Sequence, residues 1–147
     1  MSKMIGYARV STVEQSLALQ VSALKAAGCT EIYEEHGVSG AQAERPALGA
    51  ALAALRSGDT LVVWRLDRLG RSLRHLIDVN NDLTVQGCFF ESLTEKIDTS
   101  TAMGKFVFHI LGAVAELERE IIRERTLAGM AEAAKAGRLP GRPRLAA

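Results

Sequence analysis

Along residues 1–100, segments typical of β-strands alternate with segments typical of helices. The strand-like runs are short and rich in β-branched, aromatic or other apolar residues: "MIGYARV", "CTEIYEE", "DTLVVW" and "CFFESL". Between the first two runs, Leu17, Val21 and Leu24 recur at helical spacing, and Gly28 indicates a stop. This alternation predicts an α/β fold with a mostly parallel sheet of about four to five strands flanked by helices.

A different pattern begins at about residue 101. One apolar stripe at helical spacing runs on to about Ala136, and it includes Phe106, Ile110, Val114, Leu117 and Ile121. Such a helix would be about 50 Å long. Helices of this length usually pair with another helix, so the stripe predicts an oligomer interface. The predicted division is an α/β domain over 1–100, a long helix over 101–136 and a basic linker over 137–147.

Charge is unevenly distributed along the 147 residues. Residues 1–118 hold 11 Lys/Arg and 14 Asp/Glu, whereas residues 119–147 hold 7 and 3. A basic tail on a slightly acidic body indicates a polyanionic partner. No apolar run is long enough to predict a membrane span. The cysteines, Cys29 and Cys88, lie in apolar segments and are predicted to be reduced, buried thiols of a cytosolic protein.

The run "WRLDRLGRSLRH", residues 64–75, carries arginine at every third position, 65, 68, 71 and 74, with Asp67 among them. Trp64 ends a predicted strand, and ligands of open α/β sheets bind beyond the carboxyl ends of strands. Ser11 follows the first predicted strand, and Arg9 would share its side of that strand. If the two strands are neighbours, a hydroxyl and an arginine cluster face one crevice. Guanidinium groups suit phosphate and stabilise the charge that develops when a hydroxyl attacks a phosphodiester.

The residues alone leave other interpretations open. Arginines three apart also form solvated helix faces, with Asp67 as a local ion-pair partner, and Ser11 fits a helix N-cap. A bound nucleotide is poorly supported, because neither GxxxxGK[ST] nor GxGxxG occurs. A metal-dependent nuclease or phosphatase is a further alternative, although its carboxylate cluster is not found in the sequence. Neither a metal nor a cofactor is predicted.

Two motifs taken together resemble those of the serine recombinase family, specifically the resolvases and DNA invertases. They are "YARVST", Tyr7–Thr12, and "WRLDRLGRS", Trp64–Ser72, and "LVVWRLDRLGRSLRHL" is close to the invertase form. Other segments are also similar: "SGAQAERPAL" to the family's mobile loop, "FHILGAVAELEREIIRERTLAGMAEA" to its long interface helix, and "GRLPGRPR" to the linker before its DNA-recognition domain. The resemblance covers essentially the whole chain.

The resemblance implies a role for each matching residue. Ser11 would be the nucleophile that attacks a DNA phosphodiester, forms a 5′-phosphoserine and releases a 3′-hydroxyl. The scissile phosphate would be bound by Arg9, Arg45, Arg68 and Arg71, with Gln20 and Asp67 orienting these groups. Contacts with DNA are implied for Glu124, Arg125, Arg138, Arg142 and Arg144. Because the covalent bond retains the phosphodiester energy, rejoining would need no ATP.

The implied partners are double-stranded DNA and further copies of the chain, as a homodimer that assembles into a homotetramer. An accessory enhancer-binding protein is a further expected partner, and no membrane is expected. The implied location is cytoplasmic and nucleoid-associated, in a protein of bacterial or phage origin. The helix-turn-helix domain usual in the family is expected to be absent. Without it, a catalytically idle DNA-binding or oligomerisation module is the alternative function.

Overall fold

The computed structural model describes residues 2–10, 14–36, 45–69 and 72–137. The strands are β1 (Met4–Val10), β2 (Glu31–His36), β3 (Thr60–Val63), β4 (Phe89–Ser92) and β5 (Ile97–Asp98). The helices are α1 (Glu14–Ala27), α2 (Pro46–Ala54), α3 (Leu66–Leu69), α4 (Leu73–Val85) and α5 (Ala102–Lys135).

The strands form one five-stranded sheet in the order β2-β1-β3-β4-β5. Pairing is parallel between β2, β1, β3 and β4, and only β5 joins antiparallel. Strand β1 pairs directly with β3, from Met4 opposite Thr60 to Tyr7 opposite Val63. The predicted α/β class is therefore confirmed. The sequence did not indicate β5 or α3, which are only two and four residues long.

The two faces of the sheet are covered by different helices, because successive side chains of a strand point to opposite faces. On one face, Tyr7, Val63 and Phe90 belong to a core that also contains residues of α2 and α4. On the other face, Ala8 and Val62 pack with Leu24 of α1. The carboxyl ends of β1 and β3 therefore lie between two packed layers.

Helix α4 shows how local sequence fixes an element in this fold. Its first turn is capped by the hydroxyl of Ser72, which accepts a hydrogen bond from the backbone N–H of His75 at 3.2 Å. Leu76, Val79 and Leu83 are buried at helical spacing. Past its end, Gly87 adopts a positive φ of 76°, which glycine tolerates without strain.

The chain divides into two compact units, Met1–Gly112 and Ala113–Ala147, and helix α5 contributes residues to both. In the first unit, the ring of Phe108 packs edge-on against Phe90, with ring centroids 5.5 Å apart. A Cβ at Gly104 would collide with the carbonyl group of Asp98, so a residue without a side chain lies there.

The two cysteines differ in their burial. Cys88 is buried, whereas Cys29 is only partly buried, so the prediction of two buried thiols is correct for Cys88 alone. Within the described ranges, no helix is long and apolar enough to cross a membrane.

Asp59, at the turn before β3, supports a prediction about stability. Its buried carboxylate accepts hydrogen bonds from the backbone N–H groups of Lys3 at 2.8 Å and Arg56 at 2.9 Å. These bonds hold the pKa of Asp59 below its usual range. Its stabilisation is therefore present above the unfolded-state pKa and is lost as the pH falls through the lower folded-state pKa.

We expect Asp59→Asn to lower the free energy of unfolding by about 1 kcal/mol at neutral pH, because the charge-assisted bonds are weakened. The difference from wild type should shrink in acid, as the wild-type carboxyl becomes protonated. Urea denaturation at about pH 7 and about pH 3 measures both. Asp82→Asn, at an exposed position of α4, is the matched control. A difference that is the same at both pH values would contradict the assignment.

Candidate active site

Three predicted site arginines from separate segments lie together at the carboxyl edge of the sheet. Arg9 is next to last in β1, Arg68 lies in α3 just after β3, and Arg45 precedes α2. Parallel pairing of β1 and β3 brings the first two together, since their carboxyl ends meet at one edge. Arg45 joins them as a buried residue that is 9% exposed.

The arginines contact one another through the backbone of α3. Arg9 donates from Nη2 to the carbonyl oxygen of Asp67 at 2.7 Å and from Nε to that of Arg68 at 3.1 Å. Arg45 donates from Nη1 to the carbonyl oxygen of Leu69. The last carbonyl groups of a helix have no intrahelical partner and carry partial negative charge, so guanidinium groups are favourable there. Two fixed cations thus flank the short helix that presents Arg68.

Gln20, on α1, holds the backbone of Arg9 with both ends of its side-chain amide. Its Oε1 accepts from the N–H of Arg9 at 3.1 Å, and its Nε2 donates to the carbonyl oxygen of Arg9 at 3.0 Å. The pairing of β1 with β3 ends at Tyr7, so β3 provides no hydrogen-bond partner for the backbone of Arg9. The side-chain amide of Gln20 takes the role of that missing partner. Gln20 is fully buried. It fixes the strand end two residues before Ser11.

Asp67 lies in α3, and its side chain is more exposed than that of Arg68. Its carboxylate lies 3.3 Å from Nη2 of Arg65 and 3.9 Å from Nε of Arg68, so Arg65 is the closer partner. The guanidinium groups of Arg65 and Arg68 lie 4.8 and 5.9 Å from the ring centroid of Trp64. Asp67 and Trp64 both restrict the orientation of Arg68.

The alternative of one solvated helix face does not fit the described arginines of this run. Arg65 precedes α3, Arg68 lies within it, and Arg74 lies in α4. Arg74 pairs instead with Asp78, one helical turn further on, at 3.4 Å. The regular spacing in the sequence therefore does not correspond to a single helical surface.

Two glutamates that were not predicted support the elements carrying the arginines. Glu95 accepts from the backbone N–H of Leu66, the first residue of α3, at 3.3 and 3.4 Å, and from the hydroxyl of Ser92. Glu35, at the end of β2, is 4% exposed and accepts from backbone N–H groups at the start of α2. The one available signal was strand alternation, which places Glu35 on the same face as Tyr33.

Several predicted site residues are not positioned by these contacts. Ser11, Arg71, Arg138, Arg142 and Arg144 lie outside the described residues. Glu124 and Arg125 lie at exposed positions of α5, in the second unit. Within the described ranges, no three His, Cys, Asp or Glu side chains are grouped so that they could hold a metal ion.

The electrostatic environment beneath the arginines is shown by Tyr7, which is fully buried. Burial and the nearby carboxylate of Glu35 raise the pKa of Tyr7 to about 12, although Arg45 and Arg9 act in the opposite direction. A protonated phenol, a buried carboxylate and two guanidinium groups therefore lie close enough to influence one another at this edge of the sheet.

An α/β domain that collects guanidinium groups at the carboxyl edge of its parallel strands has the charge and geometry suited to binding a phosphate group. Residues 4–139 match the family model described as "Resolvase, N terminal domain", and the chain belongs to this family. The prediction of a serine recombinase catalytic domain of invertase type is confirmed by this match and by the relatives that follow.

Curated relatives are similar over nearly the whole chain. The chain is 55% identical over 140 residues to "Serine recombinase gin" of Escherichia phage Mu, covering 95% of this chain and 72% of that protein. It is also 55% identical over 140 residues to "DNA-invertase hin" of Salmonella typhimurium, covering 95% and 73%.

Solved structures show the same fold. The N-terminal catalytic domain of TP901-1 integrase superposes with a TM-score of 0.72 at 36% identity, covering 82% of this chain and 98% of that one. A resolvase family site-specific recombinase from Streptococcus pneumoniae gives a TM-score of 0.72 at 27% identity, covering 92% and 99%.

The amide of Gln20 supports a prediction about the strand end that carries Arg9. We expect Gln20→Leu to lower the free energy of unfolding by about 2 kcal/mol, because the N–H and C=O groups of Arg9 both lose their partner. Gln20→Glu keeps the acceptor but loses the donor, so its effect should be smaller at acidic pH, where a protonated carboxyl can donate. Urea denaturation measures both variants.

Gln86→Leu is the matched control, because Gln86 is exposed at the end of α4. We expect its stability to stay within about 0.5 kcal/mol of wild type. A Gln20→Leu protein as stable as this control would show that the amide does not fix the end of β1.

Proposed function

We propose that the chain catalyses site-specific recombination of double-stranded DNA, with the hydroxyl of Ser11 as the nucleophile. The observation that carries the proposal is the convergence of Arg9, Arg45 and Arg68 at the carboxyl ends of β1 and β3. Ser11 follows the last residue of β1, Val10, directly in the chain. Relatives that are 55% identical are named as a serine recombinase and a DNA invertase, which supports the same reaction here.

In the proposed reaction, the Ser11 oxygen attacks the phosphorus of a phosphodiester. A bond forms between this oxygen and the 5′-phosphate, and the bond from phosphorus to the 3′-oxygen breaks. The Ser11 hydroxyl gives up its proton as the departing oxygen takes one up with help from Arg68 or Arg71, so the net result is a 3′-hydroxyl and no change in the number of protons. A 3′-hydroxyl of the exchanged strand then attacks the phosphoserine, which restores the phosphodiester and frees Ser11 without ATP.

The arginines supply electrostatic stabilisation in this mechanism. Negative charge develops on the non-bridging oxygens during attack, and one correctly aimed donor is worth about 2.7–4 kcal/mol. The hydrogen bonds of Arg9 and Arg45 to α3 carbonyl groups hold the guanidinium groups in place before substrate arrives. The site thus has little reorganisation to make on binding a phosphate. Gln20 and Asp67 take the orienting roles, through Arg9 and Arg68 respectively.

The proposed assembly is a homodimer that forms a homotetramer on DNA. Its interface is an exposed apolar row of α5, which consists of Phe106, Ile110, Val114, Leu117 and the partly exposed Ile121. An exposed row of this size is unusual unless another surface covers it. Contacts with DNA are proposed for Glu124 and Arg125 on α5 and for the linker arginines at 138, 142 and 144. An accessory enhancer-binding protein and a nucleoid-associated cytoplasmic location belong to the same proposal.

Covalent chemistry at Ser11 is tested with the full chain joined to a sequence-specific DNA-binding domain. We expect wild type to form an SDS-stable, 5′-linked protein–DNA adduct on a duplex with two matching sites. Ser11→Ala should form none, because the attacking oxygen is removed, and cleavage should continue in excess EDTA. Ser22→Ala, at an exposed position of α1, is the matched control and should react as wild type does.

The outcomes separate the alternatives. An adduct that survives in Ser11→Ala would overturn the assignment of the nucleophile. Loss of cleavage in EDTA would favour the metal-dependent nuclease. A wild-type protein that binds the sites without cleaving them would indicate a catalytically idle module.

The apolar row of α5 is tested by a charged substitution. We expect Val114→Asp to convert a dimer into a monomer at tens of micromolar, because a carboxylate would be buried in the interface. Val85→Asp is a matched control, since Val85 is also an exposed helical valine but lies outside the row, on α4. Multi-angle light scattering measures the mass. A monomeric wild type, or equal dissociation of the two variants, would contradict the proposed interface.

A further inference from the structure

We propose that Glu35 is a positioning residue that places Arg45 in the active site by closing the N-terminus of α2. The inference rests on the proposed function, because its catalytic consequence assumes that Arg45 binds the scissile phosphate. Neither the sequence patterns nor the comparisons assign a role to Glu35. Its carboxylate is 4% exposed, at the carboxyl end of the edge strand β2.

The carboxylate of Glu35 binds the first backbone amides of α2. Both of its oxygens lie 3.2 Å from the N–H of Ala47, and Oε1 accepts from the N–H of Leu48 at 3.4 Å. The first amides of a helix have no intrahelical acceptor. An N-cap side chain usually supplies one, but the N-cap of α2 is Arg45, whose side chain makes no capping bond. Glu35, on strand β2, supplies the hydrogen-bond acceptor that the side chain of the N-cap residue does not.

Because Glu35 caps the helix, the side chain of Arg45 does not have to do so and can extend toward the active site. Arg45 has a non-helical backbone, with φ −135° and ψ 83°, directly before Pro46, and its carbonyl oxygen accepts a hydrogen bond from the N–H of Gly49 at 3.0 Å. Proline disfavours helical geometry at the preceding residue, so the chain turns out of the helix at this point. The side chain of Arg45 then reaches the carbonyl oxygen of Leu69 at the end of α3. Moving the first turn of α2 would move the guanidinium group with it.

The charges around Glu35 favour a carboxylate over an uncharged cap. Glu35 is opposite Arg9 in the register of β1 and β2, so their side chains leave the same face of the sheet. The hydroxyl of Tyr7 donates to its Oε1 at 3.4 Å. The carboxylate of Glu35 and the guanidinium groups of Arg9 and Arg45 all act on the same phenol, so the negative charge of Glu35 offsets part of the repulsion between the two cations.

The test compares Glu35→Gln and Glu35→Asp with a matched control, Glu34→Gln. Glu34 is the preceding residue of β2, is exposed, and pairs with His36 at 3.6 Å. The rate constant for Ser11-dependent adduct formation is measured at saturating DNA, on the full chain joined to the same DNA-binding domain. We expect Glu35→Gln to lower this rate constant about 10- to 100-fold, as expected for a misplaced guanidinium group. Glu35→Asp should recover part of the loss, Glu34→Gln should match wild type, and the Kd for DNA should not change.

A double-mutant cycle separates positioning from general stability. In an Arg45→Lys background, Glu35→Gln should slow adduct formation less than about twofold, because the residue through which it acts is already altered. Equal fold losses in the two backgrounds would overturn the proposal, and so would a folded Glu35→Gln protein that reacts at the wild-type rate. If Glu35→Gln fails to fold, the same double-mutant cycle is measured with Glu35→Asp, and equal fold losses in the two backgrounds would again overturn the proposal.

A measurement without DNA distinguishes failure of this inference from failure of the proposed function. NMR reports hydrogen exchange at the amides of Ala47 and Leu48 and at the guanidinium group of Arg45. Faster exchange at all three in Glu35→Gln, but not in Glu34→Gln, supports positioning even if wild type forms no adduct. Unchanged exchange at Arg45 overturns it, even if wild type recombines DNA.

Discussion

The hydrogen bonds that Arg9 and Arg45 donate to the carbonyl groups of α3 connect three distant segments of the chain. Each segment reaches α3 for a separate physical reason. Parallel pairing with β3 brings the end of β1 beside α3, and Glu35 closes the first turn of α2 behind Arg45. If α3 were displaced, Arg9 and Arg45 would lose their acceptors and Arg68 would move away from both. Four helical residues therefore determine the geometry of the candidate site.

Collecting guanidinium groups without a bound anion requires compensation of their charge, since like charges at close range repel. The described residues provide it in three forms. The carbonyl groups at the end of α3 contribute partial negative charge, and Asp67 lies beside Arg65 and Arg68. The buried carboxylate of Glu35 lies close enough to Tyr7 to affect its pKa, as do Arg9 and Arg45. Because Asp67 and Glu35 are fewer than the arginines around α3, the phosphate that we propose as substrate would still be attracted to the cluster.

How far the site could be predicted from the sequence depends on how far apart in the chain the residues of each contact lie. The strand that carries Arg9 and the strand that precedes Arg68 can both be recognised from local sequence patterns. Ligands of open α/β sheets bind beyond the carboxyl ends of strands, and this rule predicted that both residues lie at one edge of the sheet. Arg45 was found only through the family resemblance, because no local pattern connects it with α3. Glu35 was missed because the letters "YEEH" read as a charged strand end, and its burial depends on backbone amides of α2 beyond residues 37–44. Strand β5 was missed because two residues carry no periodicity.

Helix α5 shows a second limit of pattern reasoning. The sequence presents one apolar stripe, yet the residues that pack in the first unit are Gly104, Phe108 and Leu111. The exposed row that includes Phe106 and Ile110 is rotated from these by roughly 130° around the helix axis, at about 100° per residue. The predicted stripe thus lies on a different face of α5 from the residues that pack in the core of the first unit. Since the exposed row makes little contribution to that core, substitutions in it should leave the first unit folded, and their effect on the proposed assembly can therefore be measured separately.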